Sequence, residues 1–157
     1  MTKMLLAGAL AAAMTAAAPA AFAATKSCPT VSPADVESQF TAFNAAWATK
    51  DPDKVTSLFA PSAVLLATVS NTPRTTPAAV RDYFVSFLKN SPQATINSST
   101  VKIDCTTATR VGLWTVALTN PTSGVKTDVK ARYSFTYLWD GSAWKVDHLH
   151  SSVLPET

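Results

Sequence analysis

Apolar positions along the chain change period partway through. In "VSPADVESQFTAFNAAWATK", Val36, Phe40, Phe43 and Trp47 recur at steps of four, three and four, which is one stripe of an amphipathic helix. Ser32 as N-cap, Pro33 at the first helical position and Asp35 three residues after the cap mark its start. Asp51-Pro52 repeats the device and predicts a short second helix with Val55, Leu58 and Phe59 facing inward, ended by Pro61. The run "AVLLATV", bounded by Pro61 and the polar "SNTPRTT", predicts a strand. Thr76-Pro77 caps a third helix whose buried side is Val80, Phe84, Phe87 and Leu88.

From there the period falls to two. Segments near 94–104, 109–118, 129–139 and 143–153 are rich in β-branched and aromatic residues, with breaks at Asn120-Pro121, Ser123-Gly124 and Asp140-Gly141. Four successive strands joined by hairpins follow. Helices come first and strands later, so the predicted class is α+β, three N-terminal helices on a mainly antiparallel sheet. Within the last part, Tyr133, Phe135, Tyr137 and Trp139 form an aromatic row on one sheet face. Such a row is either core beneath the helices or an exposed patch for self-association; the second reading makes Tyr137→Glu a monomer.

The first residues are set apart from this fold. Lys3 supplies a short positive region, Met4 to Ala21 are almost wholly apolar, and Ala21-Phe22-Ala23 is a small-x-small cleavage site. That pattern is a secretory leader over residues 1–23, interrupted at Pro19 in a way a retained membrane anchor would not be. Residues 24–157 are then one exported domain, periplasmic or secreted, with no membrane attachment after cleavage.

Export changes how the cysteines read, because an oxidising compartment favours pairing and the chain has two, Cys28 and Cys105. One disulfide is expected. Without Lys3 the basic residues number 12 against 10 acidic, and they are scattered rather than clustered into the stripe that nucleic-acid binding needs. No Gly-x-Gly-x-x-Gly fingerprint is present, so no nicotinamide or flavin cofactor is expected.

The order of elements, with "FNAAWATKDPDKVTSLFAPSAVLLATVSNTPRTTPAAVRDYF" and the ending "RYSFTYLWDGSAWKVDHLHSSVLP", resembles the nuclear transport factor 2-like superfamily. Within it the chain is most similar to the association domain of calcium/calmodulin-dependent protein kinase II and its exported bacterial relatives. The resemblance spans about residues 32 to 156, and its strongest piece is "DGSAWKVDHLHSS". It implies a cone of curved sheet and helices around a cavity, and assembly into a homodimer or higher homo-oligomer. It also implies a positively charged pocket, built partly from arginines on the late strands, that takes small carboxylates. Arg132 matches one of those arginines, while Thr115 and Ser151 stand where two others would be. The candidate ligand-binding set is Arg132, Ser151, Thr115 and Tyr83.

The two histidines, His148 and His150, project from the same side of a strand, which permits two metal ligands. Two histidines are half a zinc site, and no Cys-x-x-Cys completes it, so packing is the favoured role and metal ligation the alternative. Hairpin register decides what they face. A two-residue Gly141-Ser142 loop sets Trp139 across from Trp144, Phe135 across from His148, Tyr133 across from His150 and Arg132 across from Ser151. A three-residue loop slips this by one. Gly-Ser favours the first register, which puts both histidines on the aromatic face.

For acid or base chemistry the candidates are Asp82, Asp104, Asp128 and Asp147, all beside polar or charged neighbours. None stands alone in an apolar stretch, the sequence sign of a raised carboxyl pKa. The expected function is therefore an exported, self-associating domain with a cavity for a small organic ligand, a carboxylate by the resemblance. The alternative is a small isomerase-like, cyclase-like or oxidoreductase enzyme.

Overall fold

The computed structural model describes residues 28–155, so the expected leader and its cleavage site lie outside the described residues. Three helices, α1 (Pro33–Ala48), α2 (Pro52–Thr56) and α3 (Pro77–Phe87), accompany five strands: β1 (Phe59–Leu66), β2 (Gln93–Ile103), β3 (Thr107–Thr119), β4 (Lys126–Trp139) and β5 (Trp144–Val153). The strands form one curved, unclosed sheet in the order β1-β5-β4-β3-β2. β1 runs parallel to β5 and every other pairing is antiparallel.

Each helix starts where its sequence signal lies. Ser32 and Asp35 form a capping box: Ser32 N–H donates to the Asp35 carboxylate at 2.7 Å and Asp35 N–H to Ser32 Oγ at 3.3 Å. Those bonds hold the Asp35 carboxyl below its usual range. Asp51 caps α2 by accepting from the Asp53 and Lys54 N–H groups, and Thr76 caps α3 by accepting from Ala79 N–H. Val36, Phe40, Phe43 and Trp47, the predicted stripe of α1, are all buried. They land on the sheet around Phe135, whose ring centre lies 5.3 Å from that of Phe43 and 5.9 Å from that of Trp114. Each large apolar side chain so removed from water contributes roughly 1.5–3 kcal/mol before entropy is counted.

The second helix is shorter than its pattern suggests. It ends at Thr56, and Phe59 opens β1 instead of closing α2. Pro61 consequently sits inside a strand. This is permitted because β1 is an edge of the sheet, where a missing N–H leaves no central ladder bond unmade. At the other edge, the Asn44 side chain on α1 donates to the Ala94 carbonyl at 3.1 Å and accepts from Ala94 N–H at 3.0 Å, covering part of β2.

The aromatic row is core, not an association patch. Tyr133, Phe135 and Tyr137 are buried beneath α1, with Phe135 wholly excluded from solvent. Burial pushes the Tyr137 phenol above its ordinary pKa, and among the described residues its hydroxyl has no hydrogen-bond partner. The expectation that this face mediates self-association is therefore overturned. Replacing Tyr137 with Glu would bury a carboxylate in the core rather than split an interface.

Register along the last hairpin departs from expectation at one point. Next to the turn, Trp139 pairs with Trp144 and Tyr137 with Val146, as a two-residue loop requires. The pairing then shifts, so that Thr136 faces His148, Phe135 faces Leu149, Ser134 faces His150 and Tyr133 faces Ser151. Asp147 is the extra residue of a β-bulge, and beyond it every side chain of β5 changes face. His148 and His150 thus leave the aromatic face for the uncovered one, and Arg132 pairs with Ser152, not Ser151.

A second bulge lies between Ile96 and Ser98 on β2. There the Ser98 carbonyl approaches β3 so closely that a Cβ on Gly112 would stand 2.0 Å from its oxygen. The same oxygen accepts from the Tyr133 hydroxyl at 3.1 Å. Where β2 turns into β3, Cys105 is joined to Cys28, tying the beginning of the described chain to the sheet across 77 residues.

Candidate functional site

The helix-covered face of the sheet does not pack solidly against α3. Between them lies a slot of about 30 Å³. Its floor is Trp114, Val116 and Leu118 of β3 with Leu149 and Ser151 of β5; its roof is Trp47 of α1 with Tyr83, Phe84 and Phe87 of α3. Leu65 and the residues following β1, Ala67, Thr68 and Val69, close one side. The lining alternates correctly for its strands: Trp114 and Val116, and Leu149 and Ser151, are two apart and share the covered face.

Polar atoms in the slot are few and mostly engaged. Ser151 Oγ accepts from the Trp114 indole N–H at 3.1 Å and from the Thr68 hydroxyl. Trp47 carries a buried indole N–H that has no partner among the described residues. Tyr83 is held above its ordinary pKa by burial, against an opposing pull from Arg74, so its phenol stays protonated at neutral pH. The slot can therefore offer hydroxyl and indole donors within an apolar wall. It presents no carboxylate, imidazole or amine among its lining residues.

The structure divides the predicted ligand set. Ser151 and Tyr83 line the slot. Arg132 and Thr115 do not: both belong to the opposite, uncovered face, where Thr115 Oγ1 donates to Asn97 Oδ1 at 2.9 Å. Arg132 is exposed there beside a shallow depression of about 350 Å³ that it shares with Ser134, His150 and Ser152. The physical reason is the Asp147 bulge, which turns Ser151 inward and leaves its expected partner outside. His148 and His150 lie on that outer face with ring centres 6.5 Å apart. Among the described residues no group of three His, Cys, Asp or Glu side chains comes together around them.

The acidic candidates are scattered. Asp147 is the bulged residue, and Asp104 accepts from the neighbouring Cys105 N–H at 2.7 Å. Asp128 and Asp82 are exposed, Asp82 on a cleft outside the slot. Trp47, Trp114 and Thr68 were not among the predicted site residues. The sequence carried a partial signal for Trp114, an aromatic in strand alternation with Val116; Thr68 lies past the strand end and carried none.

Comparison with known proteins places these features in a family context. Residues 33–155 match the family described as calcium/calmodulin dependent protein kinase II association domain. A structure from Xanthomonas campestris named for that same association domain is 38% identical, with a TM-score of 0.76, covering 86% of this chain and 100% of its own. A Streptomyces avermitilis protein named as a dehydratase of the NTF2-like family superimposes with a TM-score of 0.71 at 15% identity, covering 78% of this chain and 97% of its own. A ketosteroid isomerase-like protein from Erwinia carotovora does so at 0.65 and 16% identity, covering 78% and 96%. The last two share the fold alone. No curated protein matches the sequence.

Proposed function

The chain belongs to the calcium/calmodulin dependent protein kinase II association-domain family, and from that premise we propose that it is an exported, self-associating domain that holds a small organic molecule without transforming it. The observation that carries this reading is the lining of the slot. Isomerisation and dehydration, the activities in the names of two proteins of the same fold, need a positioned proton acceptor. Here the lining residues are apolar or hydroxylic, and the phenol of Tyr83 is held in its protonated form. Such a surface suits binding: an apolar body is taken out of water while a hydroxyl or indole fixes its orientation.

Self-association is assigned to the uncovered sheet face, since the aromatic row is occupied by core packing. That face presents Leu113, 37% exposed, with Arg132, Ser134, Thr136, His148 and His150 on the neighbouring strands. A second copy would cover it in a self-complementary contact. The Cys28–Cys105 disulfide is compatible with an oxidising compartment, and among the described residues no helix is long and apolar enough to cross a membrane.

The test is sedimentation velocity on the mature chain and on Leu113→Glu. Association of the first and monomers of the second support the proposal. A first sample that stays monomeric at every concentration overturns the self-association half of it.

A further inference from the structure

Both histidines of the chain stand on the sheet face that the helices leave uncovered, and on an interior strand of it, with β1 on one side and β4 on the other. His148 is half-buried and His150 exposed, with ring centres 6.5 Å apart.

The neighbouring strands set uncharged residues directly beside them. β1 places Val64 next to His148 and Leu66 next to His150, while β4 places Thr136 and Ser134 there. The loop after β1 brings Ser70, Asn71 and Pro73 to the His150 side. Farther out the face is basic. β4 carries Arg132, Lys130 and Asp128 at alternate positions, and β2 adds Lys102 at the far edge. The outward residues of β3, Val111 and Leu113 among them, carry no charge. On β5 itself are the bulged Asp147 and Lys145, whose ammonium donates to the Ser57 carbonyl at 2.9 Å. Among the described residues the ion pair present is Arg81 with Asp53, so no carboxylate is paired with either imidazole or with Arg132.

On the reading that this face joins two copies of the chain, we propose that His148 and His150 make the joint a pH-sensitive latch, closed while both imidazoles are neutral and opened when they take up protons. Histidine is the side chain whose charge changes between about pH 5 and 8. A neutral imidazole can enter a contact made with Val64, Leu66 and Leu113. An imidazolium enclosed there loses its water and meets no carboxylate in exchange. Self-complementarity multiplies the effect, because each copy brings the same two rings and the same Arg132 to the contact. The sign follows from linkage: separated copies bind more protons than the pair, so acidification favours separation.

Sedimentation velocity over a range of protein concentration, with a chelator present, reads the dissociation constant of the pair at about pH 7.5 and about pH 5.5. The wild-type constant should rise at least about tenfold at the lower pH while the far-UV circular dichroism stays the same. Added salt should reverse part of that rise by screening the like charges. For His148→Gln/His150→Gln the two constants should agree within about twofold, and each single variant should fall between the double variant and wild type. Equal wild-type constants at the two pH values, or a rise that the double variant keeps in full, overturns the latch while the sheet-face contact still stands. If the double variant is monomeric at both pH values, the single variants decide: a smaller rise than wild type in each supports the latch, and a full rise in each overturns it. A wild type that is monomeric at the higher pH at every concentration removes the self-association reading itself, and the latch with it.

Discussion

Tyr133 stands directly across from Ser151 in the sheet, one position away from where the turn alone would have set it, because Asp147 is bulged out of β5. That single residue sends Ser151 into the slot and both histidines out of it. Ser151 then becomes the acceptor for Trp114 and Thr68 in a place with little access to water. Ser151→Ala should strand those two donors and lower stability by about 1–3 kcal/mol in urea titration. Ser152→Ala, one residue on and facing outward, should stay within about 0.5 kcal/mol of wild type. Equal effects from the two would mean that the inward turn of Ser151 is wrong.

Tyr137 offers the opposite case, a buried hydroxyl with no partner among the described residues. Removing it by Tyr137→Phe relieves an unsatisfied polar group and keeps the ring stacked on Phe135, 5.6 Å between centres. Thermal unfolding should show a chain as stable as wild type or up to about 1 kcal/mol more so. A clear loss of stability would reveal a partner for the hydroxyl.

Helix existence and the core were legible in the chain because their signals are local. The spacing of Val36, Phe40, Phe43 and Trp47 and the caps at Ser32, Asp51 and Thr76 recur in the structure as read. The strand set was legible for the same reason. The site was not, since a bulge has no composition of its own: Asp140-Gly141 dictates pairing near the turn, and nothing in "AWKVDHLH" marks where the ladder will skip. Arg74 was passed over inside a polar stretch, "SNTPRTT", that reads as a boundary. Only the backbone bridge to Leu65, a contact between neighbouring but separate segments, brings its guanidinium to 5.6 Å from the Tyr83 ring.

Gly112 is the other position where backbone proximity rules. A methyl group added there meets the Ser98 carbonyl, and backbone cannot rotate aside as a side chain does. Gly112→Ala should push β2 away from β3, weaken the bond from Tyr133 to Ser98, and destabilise the fold by about 1–3 kcal/mol. Chemical-shift changes should concentrate on residues 96–100 and 111–113. A variant with wild-type stability and spectra would show that the two strands are not so closely apposed.

The disulfide closes a long loop, and its contribution follows from that length. With Cys28 and Cys105 separated by 77 positions, the chain-entropy model gives about 4.5 kcal/mol. Replacing both cysteines with serine should lower the urea midpoint accordingly, and a reducing agent should reproduce the shift in wild type but leave the double variant unchanged. Wild type that is indifferent to reduction would show that the bond adds no stability.

Native mass spectrometry of the protein recovered from cells and medium that produce it reports assembly and occupancy in one spectrum. The expected species are multiples of an internally disulfide-bonded chain that begins at Ala24, with a small organic molecule retained and released on activation. A bare monomer at every concentration, with no added mass, would contradict both self-association and the binding role of the slot.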